Sequence, residues 1–150
     1  KTNFETKIIR IDEVLWEIIE QLTLVHGAQI NVDIQVVDTD ILKVDANDKL
    51  LQLAIQNIIL NGVKYSNNQP IVVHLKSHTG RLLVEIMDQG IGIAPEELIR
   101  VTENFYRGEN AQDFNGKGIG LSLANVIFKL HHIRMDISSN KQGTTVSLYF

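Results

Sequence analysis

Apolar residues recur along the chain with two spacings, which separate predicted helices from predicted strands. Steps of three and four residues predict a helix that has Asp12 as its N-cap and carries apolar residues as far as Leu22. The same spacing predicts two further long helices and, opened by a proline, one short helix, over residues 48–65, 118–132 and 95–100. Helices therefore account for a large part of the predicted structure.

Alternating apolar and polar residues, and short apolar runs bounded by turn residues, predict strands. These lie at residues 8–11, 30–37, 43–47, 71–78, 81–88, 134–139 and 144–150, and residues 101–116 are irregular and polar. Helices and strands are mixed, and the last strands form a meander rather than βαβ repeats. The predicted fold class is α/β: a two-layer sandwich whose mixed, mostly antiparallel sheet is covered on one face by about three helices.

The composition fits one domain with a substantial core, because 44% of the 150 residues are hydrophobic. A net charge of −4 argues against a nucleic-acid surface, which would be basic. The absence of cysteine excludes disulfides and thiolate metal sites, and no apolar run approaches the roughly 20 residues that span a bilayer. The chain begins at Lys1 without a methionine, so we expect it to be a piece of a longer protein.

Candidate chemistry first occurs in the predicted helix over residues 48–65. At about 100° per residue, Asn57, Asn61 and Lys64 fall on one face of this helix. One interpretation is a polar stripe that faces solvent. Leucines lie close to the same direction, however, and asparagine is a mediocre helix former. The other interpretation is therefore an amide oxygen held towards a ligand such as hydrated Mg²⁺, which prefers hard oxygen donors.

The stretch DQGIG, residues 88–92, places a carboxylate between a strand end and two glycines. One interpretation is a turn in which Asp88 caps the bend and the glycines adopt positive φ. The other is a base-binding site, in which Asp88 accepts a hydrogen bond from an exocyclic amine such as that of adenine. Gly90 and Gly92 would then let the flat ring approach the backbone. A charge-assisted bond of this kind contributes roughly 1.5–3 kcal/mol.

Three glycines alternate in GKGIGL, residues 116–121, where the helix over residues 118–132 begins. Uncovered N–H groups at a helix N-terminus favour an anion, and Lys117 adds a positive charge where phosphates would lie. The spacing matches neither a dinucleotide fingerprint nor a P-loop, and a flexible linker is the alternative. The preceding loop over residues 105–115 is either a lid, with Arg107 above a phosphate, or an ordinary surface segment.

Taken in order, these motifs closely resemble the ATP-binding catalytic domain of sensor histidine kinases, part of the wider family shared with Hsp90, gyrase B and MutL. NIILNGVKYS is similar to the N box, DQGIG to the G1 box, NFYRG to the F box, GKGIGL to the G2 box and QGTTV to the last glycine motif. The similarity covers roughly residues 4–150. It implies that residues 1–150 form one catalytic and ATP-binding domain with the Bergerat fold and a lid over ATP.

The resemblance implies a role for each side chain of the first two motifs. Asn57 would bind Mg²⁺. Asn61 and Lys64 would contact phosphates, and Tyr65 would lie beside the nucleotide. Asp88 would hold the amine at N6 of adenine, which selects between the two interpretations of DQGIG given above.

The other implied contacts lie in the glycine motifs and the lid. Gly90 and Gly92 would make room for the base, and Thr144 would sit near it. The remaining nucleotide-binding positions are Ile93, Arg107, Gly116, Lys117, Gly118, Ile119, Gly120 and Leu121, of which the glycines would shape the hinge of the lid. The residues expected to act in phosphoryl transfer itself are Asn57, Lys64, Arg107 and Lys117.

The sequence departs from the family pattern at three positions. Leu53 stands where the ATP-hydrolysing branches carry a carboxylate that activates water, which disfavours an ATPase of the Hsp90, gyrase or MutL type. Gly62 replaces a common alanine, which weakens the helix by about 1 kcal/mol but permits close packing on the sheet. Thr102 replaces the leading phenylalanine of the F box.

The implied reaction is transfer of the γ-phosphoryl group of ATP to a histidine, and from there to an aspartate on a response regulator receiver domain. None of the five histidines lies in the pattern typical of the acceptor, so we expect the acceptor on a separate dimerisation domain that is absent from this chain. The resemblance further implies a homodimeric full-length protein. This domain would be cytoplasmic in a membrane-anchored sensor, without direct contact to membrane or nucleic acid.

Two other functions stay open at this point. The first is a nucleotide-responsive interaction module that regulates a partner without transferring phosphate, which Leu53 and Thr102 favour. The second is an ATP-hydrolysing clamp, which would release free phosphate from ATP on its own.

Overall fold

A computed structural model of the protein describes residues 4–66, 69–90, 117–140 and 142–150, with Tyr65 and residues 117–120 described by their backbone alone. The elements follow one another as β1 (Lys7–Arg10), α1 (Ile11–His26), β2 (Ile30–Ile34), a 3₁₀ turn (Thr39–Leu42), β3 (Lys43–Ala46), α2 (Asp48–Tyr65), β4 (Ile71–His78), β5 (Arg81–Asp88), α3 (Lys117–Leu130), β6 (Arg134–Asn140) and β7 (Gly143–Tyr149). The short helix predicted over residues 95–100 and the irregular segment 101–116 lie outside the described residues.

The described strands form two sheets. The larger has five strands in the order β2-β4-β5-β7-β6, in which β2 and β4 run parallel and the other neighbours run antiparallel. This confirms the predicted mixed, mostly antiparallel sheet. The strands β1 and β3 pair with each other instead and form a separate two-stranded sheet.

The helices cover one face of the five-stranded sheet, and the core lies between the two layers. Central in the helical layer is α2, which packs against α1, α3, β4 and β5. The side chains that face it from the sheet are buried, whereas their neighbours along the strands, such as His74 and Glu85, are half-exposed. These inward residues are Ile71, Val73, Leu75, Leu82, Val84, Ile86, Met135, Val146 and Leu148. The two-layer α/β prediction is therefore confirmed.

The start of α1 differs from the prediction. Arg10 occupies the N-cap position, makes no side-chain cap, and the helix begins at Ile11. Asp12 is not the cap but lies in the first turn, where both of its carboxylate oxygens accept from the Arg10 guanidinium, at 2.9 and 3.1 Å. The prediction of Asp12 as N-cap was wrong because the helix begins one residue earlier, at Ile11, so that Asp12 is already part of its first turn.

The ends of two predicted elements also shift. The strand predicted to Val37 ends at Ile34, and Val37 is 98% exposed. The helix predicted to His132 ends at Leu130, because His132 takes a positive φ of 60°. Both changes shorten an element at its C-terminal end. Among the described helices, none has the length and apolar character needed to cross a membrane.

His131 connects the end of α3 to the start of α2. Its Nδ1–H donates to the carbonyl of Ile127 at 2.8 Å, and its Nε2 accepts the backbone N–H of Asn47 at 3.1 Å. Accepting that bond requires the neutral ring with its proton on Nδ1. The side chain of Asn47 caps α2 by accepting from the N–H of Leu50 at 2.9 Å. The two helices therefore share a hydrogen-bonded junction.

Candidate functional site

Asp88 stands at the C-terminal end of β5, directly across from Thr144 of β7 in the antiparallel ladder. Its Oδ1 accepts two backbone hydrogen bonds, from the N–H of Gly90 at 2.9 Å and from the N–H of Thr144 at 3.2 Å. The first bond closes a turn of the kind that aspartates commonly cap. The second ties the carboxylate to the neighbouring strand. The cap that the turn interpretation assigns to Asp88 is thus observed, and it does not exclude the base-binding interpretation.

Thr144, which the resemblance implies lies near the base, is the neighbour of Asp88 on β7. It is 7% exposed, and its hydroxyl exchanges a hydrogen bond of 2.9 Å with that of Ser139 on β6. Its backbone N–H is the group that reaches the Asp88 carboxylate. Thr144 therefore helps to orient the acid from the opposite strand.

Gly143 is the glycine of QGTTV, to which the sequence analysis assigned no role of its own. Its φ is +147°, and a Cβ at this position would overlap the carbonyl oxygen of Asp88 and lie 2.9 Å from its carbonyl carbon. Only glycine allows β7 to begin so close to the end of β5. The signal was present in QGTTV, where the glycine immediately precedes Thr144.

The helix α2 passes the end of β5 at Gly62. A Cβ built on Gly62 would lie 3.2 Å from the Cβ of Asp88, 3.5 Å from its Oδ2 and 2.9 Å from Cδ1 of Ile71. The predicted close packing at this glycine is confirmed. Because Asn61 precedes Gly62 in the chain, the contact brings the asparagine-bearing helix and the carboxylate into one site.

The polar residues of α2 differ in exposure. Asn57 and Asn61 are half-buried, whereas Lys64 is exposed. Half-buried amides do not fit a stripe that simply faces solvent. Leu53, one turn before Asn57, is 42% exposed. Solvent can therefore reach the position at which the ATP-hydrolysing branches of the family carry a carboxylate and this chain carries a leucine.

The structure locates the other predicted site residues to different extents. Lys117, Gly118, Ile119 and Gly120 form the first turn of α3, so GKGIGL enters a helix as expected. Leu121 is 2% exposed and belongs to the core. The side chain of Tyr65 and those of residues 117–120 are not described. Gly92, Ile93, Arg107 and Gly116 lie outside the described residues, as does Thr102.

Comparison with known proteins shows the family. The family of histidine kinase-, DNA gyrase B- and HSP90-like ATPases matches residues 46–150. The heme sensor protein HssS of Staphylococcus saprophyticus is 36% identical over 115 residues, which cover 75% of this chain and 25% of that protein. The sensor histidine kinase YkoH of Bacillus subtilis is 33% identical over 116 residues, with the same coverage. The chain belongs to this ATPase family, and the recognition made from its motifs is confirmed.

Solved structures share the fold. The mycobacterial sensor histidine kinase MprB superposes with a TM-score of 0.78 at 22% identity, over 97% of this chain and 96% of that one. Full-length ShkA in complex with AMPPNP also gives 0.78, at 19% identity, and covers 99% of this chain and 31% of that one. The present chain spans about a quarter of the length of the curated relatives described above.

Proposed function

We propose that this chain binds Mg-ATP and is the catalytic domain of a protein-histidine kinase. The observation that carries the proposal is the Asp88 carboxylate, fixed by the N–H groups of Gly90 and Thr144 and placed against Gly62 of the asparagine helix. The family match and the likeness to ShkA, whose structure contains AMPPNP, support a nucleotide as the ligand.

Asp88 is suited to recognise adenine. Its carboxylate lies at the end of β5, oriented by the two N–H groups that Oδ1 accepts, and it offers a negatively charged acceptor there. The exocyclic amine of adenine is a suitable donor, and a hydrogen bond to a charged acceptor contributes about 1.5–3 kcal/mol. Guanine presents a carbonyl oxygen at the corresponding position, which a carboxylate repels. The site therefore favours adenine over guanine nucleotides.

The asparagines of α2 fit a magnesium ion. Their side chains lie one turn apart and are half-buried, and amide oxygens are among the hard donors that Mg²⁺ accepts. We assign the metal to Asn57 and phosphate contacts to Asn61 and Lys64, with Tyr65 beside the nucleotide. Bound there, the ion would neutralise charge on the phosphates and hold them in one orientation.

Phosphoryl transfer requires positioning and charge neutralisation more than covalent participation of the protein. The bond from the γ-phosphorus to the bridging oxygen of ADP breaks as a bond to a neutral imidazole nitrogen forms. Lys64 is exposed at the end of α2 and supplies one positive charge to the phosphates. By the resemblance, Lys117 and Arg107 supply two more from the lid, and the glycine motifs form its hinge.

The acceptor imidazole belongs to another domain in this proposal. His131 is engaged at the junction of α2 and α3, and His78 packs edge-on against Tyr149 at 5.4 Å between ring centroids. His74 lies in the sheet beside Glu85, with 3.9 Å between Nδ1 and Oε1. These three histidines have structural surroundings, which supports an acceptor elsewhere.

The full-length protein is proposed to follow its relatives in arrangement. A dimerisation domain with the acceptor histidine would pair two copies, and a response regulator receiver domain would take the phosphoryl group. The present domain would be the cytoplasmic part of a membrane-anchored sensor. The small share of the relatives that the chain covers leaves room for these other parts.

A transfer assay tests the proposal. The domain is mixed with its cognate histidine-bearing dimerisation domain and Mg-ATP labelled at the γ-phosphate, with Asp88→Asn as the control. We expect acid-labile, base-stable label on the acceptor, and none with the control. Nucleotide binding without transfer would favour the interaction module instead. Free phosphate released by the domain alone would indicate an ATPase, which the leucine at position 53 disfavours.

A further inference from the structure

The inner face of the five-stranded sheet changes from apolar to polar at the end of the strands where Asp88 lies. The last apolar row across β6, β7 and β5 consists of Ile137, Val146 and Ile86, which pack with the core. The next row on the same face, called the polar row below, consists of Ser139, Thr144 and Asp88. Three polar side chains therefore lie in register where the core ends.

Hydrogen bonds join the members of the polar row. The backbone N–H of Thr144 donates to Oδ1 of Asp88 at 3.2 Å, and the Thr144 hydroxyl lies 2.9 Å from the hydroxyl of Ser139. The Ser139 hydroxyl is also 3.5 Å from the carbonyl oxygen of Gly143. Thr144 is 7% exposed, whereas Ser139 is half-buried. Thr144 is thus held by β5 through its backbone and by β6 through its side chain.

Adenine presents two complementary groups side by side. Its exocyclic amine donates hydrogen bonds, and the neighbouring ring nitrogen N1 accepts one. If Asp88 binds the amine, N1 requires a donor close to Asp88. Residues that face each other across an antiparallel pair have Cβ atoms about 4.5–5.5 Å apart. Thr144 is the residue opposite Asp88, and its hydroxyl has one proton to donate.

The proton of Thr144 is available to N1 in one of two arrangements. Either hydroxyl of the Ser139–Thr144 pair can be the donor. If Thr144 donates to Ser139, its proton is used within the protein. If Ser139 donates to Thr144, the proton of Thr144 is left for a ligand, and the bond from Ser139 polarises the Thr144 hydroxyl into a better donor. An acceptor nitrogen beside Thr144 therefore selects the arrangement in which Ser139 donates.

We propose that Ser139 is a positioning residue for the base: by donating to the Thr144 hydroxyl, it turns the proton of Thr144 towards N1 of adenine. The inference rests on the proposed function, because it takes an adenine nucleotide bound by Asp88 as the ligand. It adds a second recognised group on the base and gives β6 a part in recognition. Ser139 acts through Thr144 and needs no contact of its own with the nucleotide.

The test compares the binding of Mg-ATP with that of Mg-1-deaza-ATP, which keeps the amine and has a C–H group in place of N1. We expect the wild type to prefer ATP by about threefold to tenfold, the factor that one hydrogen bond between neutral groups provides. In Ser139→Ala the preference should fall to within about twofold of one, through weaker binding of ATP. The same two nucleotides are used for every variant, so their other differences cancel.

Ser138→Ala is the matched control. It makes the same change one residue earlier on β6, at an exposed serine whose side chain faces the other side of the sheet. We expect it to keep the wild-type preference for ATP. Ser139→Thr, which retains the hydroxyl, should also keep it. Should Ser139→Ala fold poorly, as judged by circular dichroism, Ser139→Cys takes its place with the same expectation, since a thiol is a weak donor.

A double-mutant cycle tests whether Ser139 acts through Thr144. Thr144→Val removes the hydroxyl and keeps the branched shape, and it should lose the preference for ATP as Ser139→Ala does. The variant Ser139→Ala/Thr144→Val should lose no more of the preference than Thr144→Val alone, because both changes interrupt the same chain of hydrogen bonds. An influence of Ser139 by another route would persist in the Thr144→Val background.

Four results would overturn the inference and leave the proposed function in place. These are a wild type that binds both nucleotides equally, an unchanged preference in Ser139→Ala or in Thr144→Val, equal weakening of both nucleotides in Ser139→Ala, and a further loss of preference in the double variant. The second nucleotide keeps the amine that Asp88 would bind. A wild-type protein that binds neither nucleotide would therefore contradict the proposed function itself.

Discussion

At the scale of single residues, the carboxylate of Asp88 uses its two oxygens differently. Oδ1 closes a turn with Gly90 and ties β5 to Thr144 of β7, and Oδ2 faces the helix that carries the asparagines. In the proposed function, the fold and the ligand would therefore use the same side chain.

The assignment of the metal to Asn57 can be separated from the assignment of phosphate to Asn61. We expect Asn57→Ala to weaken ATP binding mainly in the presence of Mg²⁺, because the amide oxygen proposed as ligand is removed. Asn61→Ala should weaken binding with and without the ion. Titration of each variant with ATP, in Mg²⁺ and in EDTA, measures the difference. The reverse pattern would move the metal to Asn61, and equal losses in Asn57→Ala under both conditions would contradict its role.

Gly143 should tolerate no side chain, because two penalties coincide there. Gly143→Ala combines a positive φ with overlap of the Asp88 carbonyl group. Backbone strain alone costs about 1–3 kcal/mol. We expect this variant to lose more unfolding free energy than that, because the overlap adds to the strain. Gly80→Ala is the matched control, since Gly80 also has a positive φ, of 79°, but an added Cβ meets nothing within 4 Å.

Urea unfolding of the two glycine variants provides the measurement. The account predicts a markedly larger loss for Gly143→Ala than for Gly80→Ala. Similar losses would mean that backbone strain alone explains the glycine, and that the close approach of β7 to Asp88 is not required.

At the scale of elements, the junction between α2 and α3 depends on His131. We expect His131→Ala to lower the unfolding free energy by about 1–3 kcal/mol, because the N–H of Asn47 and the carbonyl of Ile127 lose their partner. His26→Ala, at the exposed end of α1, is the control and should cost clearly less. A loss in His131→Ala no larger than in the control, in chemical unfolding, would show that the junction contributes little.

The ion pair between Arg10 and Asp12 at the start of α1 makes the unfolding free energy depend on pH in the acid range. The hydrogen bond from Arg10 is the largest influence on Asp12 and lowers the pKa of its carboxyl group below the ordinary value. A carboxyl group with a lowered folded-state pKa stabilises the protein above its unfolded pKa, and that stabilisation is lost as the pH falls through the folded value. The loss therefore begins near the ordinary carboxyl value of about 4 and continues below it.

Asp12→Asn tests this dependence. We expect the variant to lose less unfolding free energy than the wild type between about pH 6 and about pH 3, since it lacks the titrating group. Glu13→Gln, its exposed neighbour in the same turn, should keep the wild-type dependence. An Asp12→Asn curve that runs parallel to the wild-type curve would contradict the stabilising role of the pair.

Most elements could be predicted from the sequence, but their partners could not. Periodicity located α1, α2, α3 and the strands of the large sheet, because one buried face leaves a regular apolar pattern. It could not show that β1 and β3 pair with each other in a separate sheet. Alternation indicates which face of a strand is buried, but not which strand lies next to it. Asp12 is a favourable cap by residue type, and only the structure shows that the helix begins before it, at Ile11.

At the scale of the whole molecule, the candidate site joins segments that are distant in sequence. The end of β5, the start of β7 and the middle of α2 meet where Gly62, Asp88 and Gly143 come together. The motifs predicted Asp88 and Thr144 as neighbours of a base, and the structure places them opposite each other. The motif QGTTV contains Gly143, but the sequence could not show its contact with Asp88, which lies more than fifty positions away.

The central claim is that the Asp88 carboxylate binds the base of an adenine nucleotide. The backbone N–H groups of Gly90 and Thr144 donate to this carboxylate, so their resonances should shift when a base binds to it. The measurement is a titration with Mg-ATP followed in ¹H–¹⁵N correlation spectra of the wild type and of Asp88→Asn. Asparagine retains one oxygen for both N–H groups but turns an amide donor towards the amine, so the variant should keep its fold and lose about tenfold or more in affinity. The account predicts saturable shifts of the Gly90 and Thr144 resonances in the wild type. Unchanged resonances at saturating Mg-ATP, or wild-type affinity in the folded variant, would contradict it.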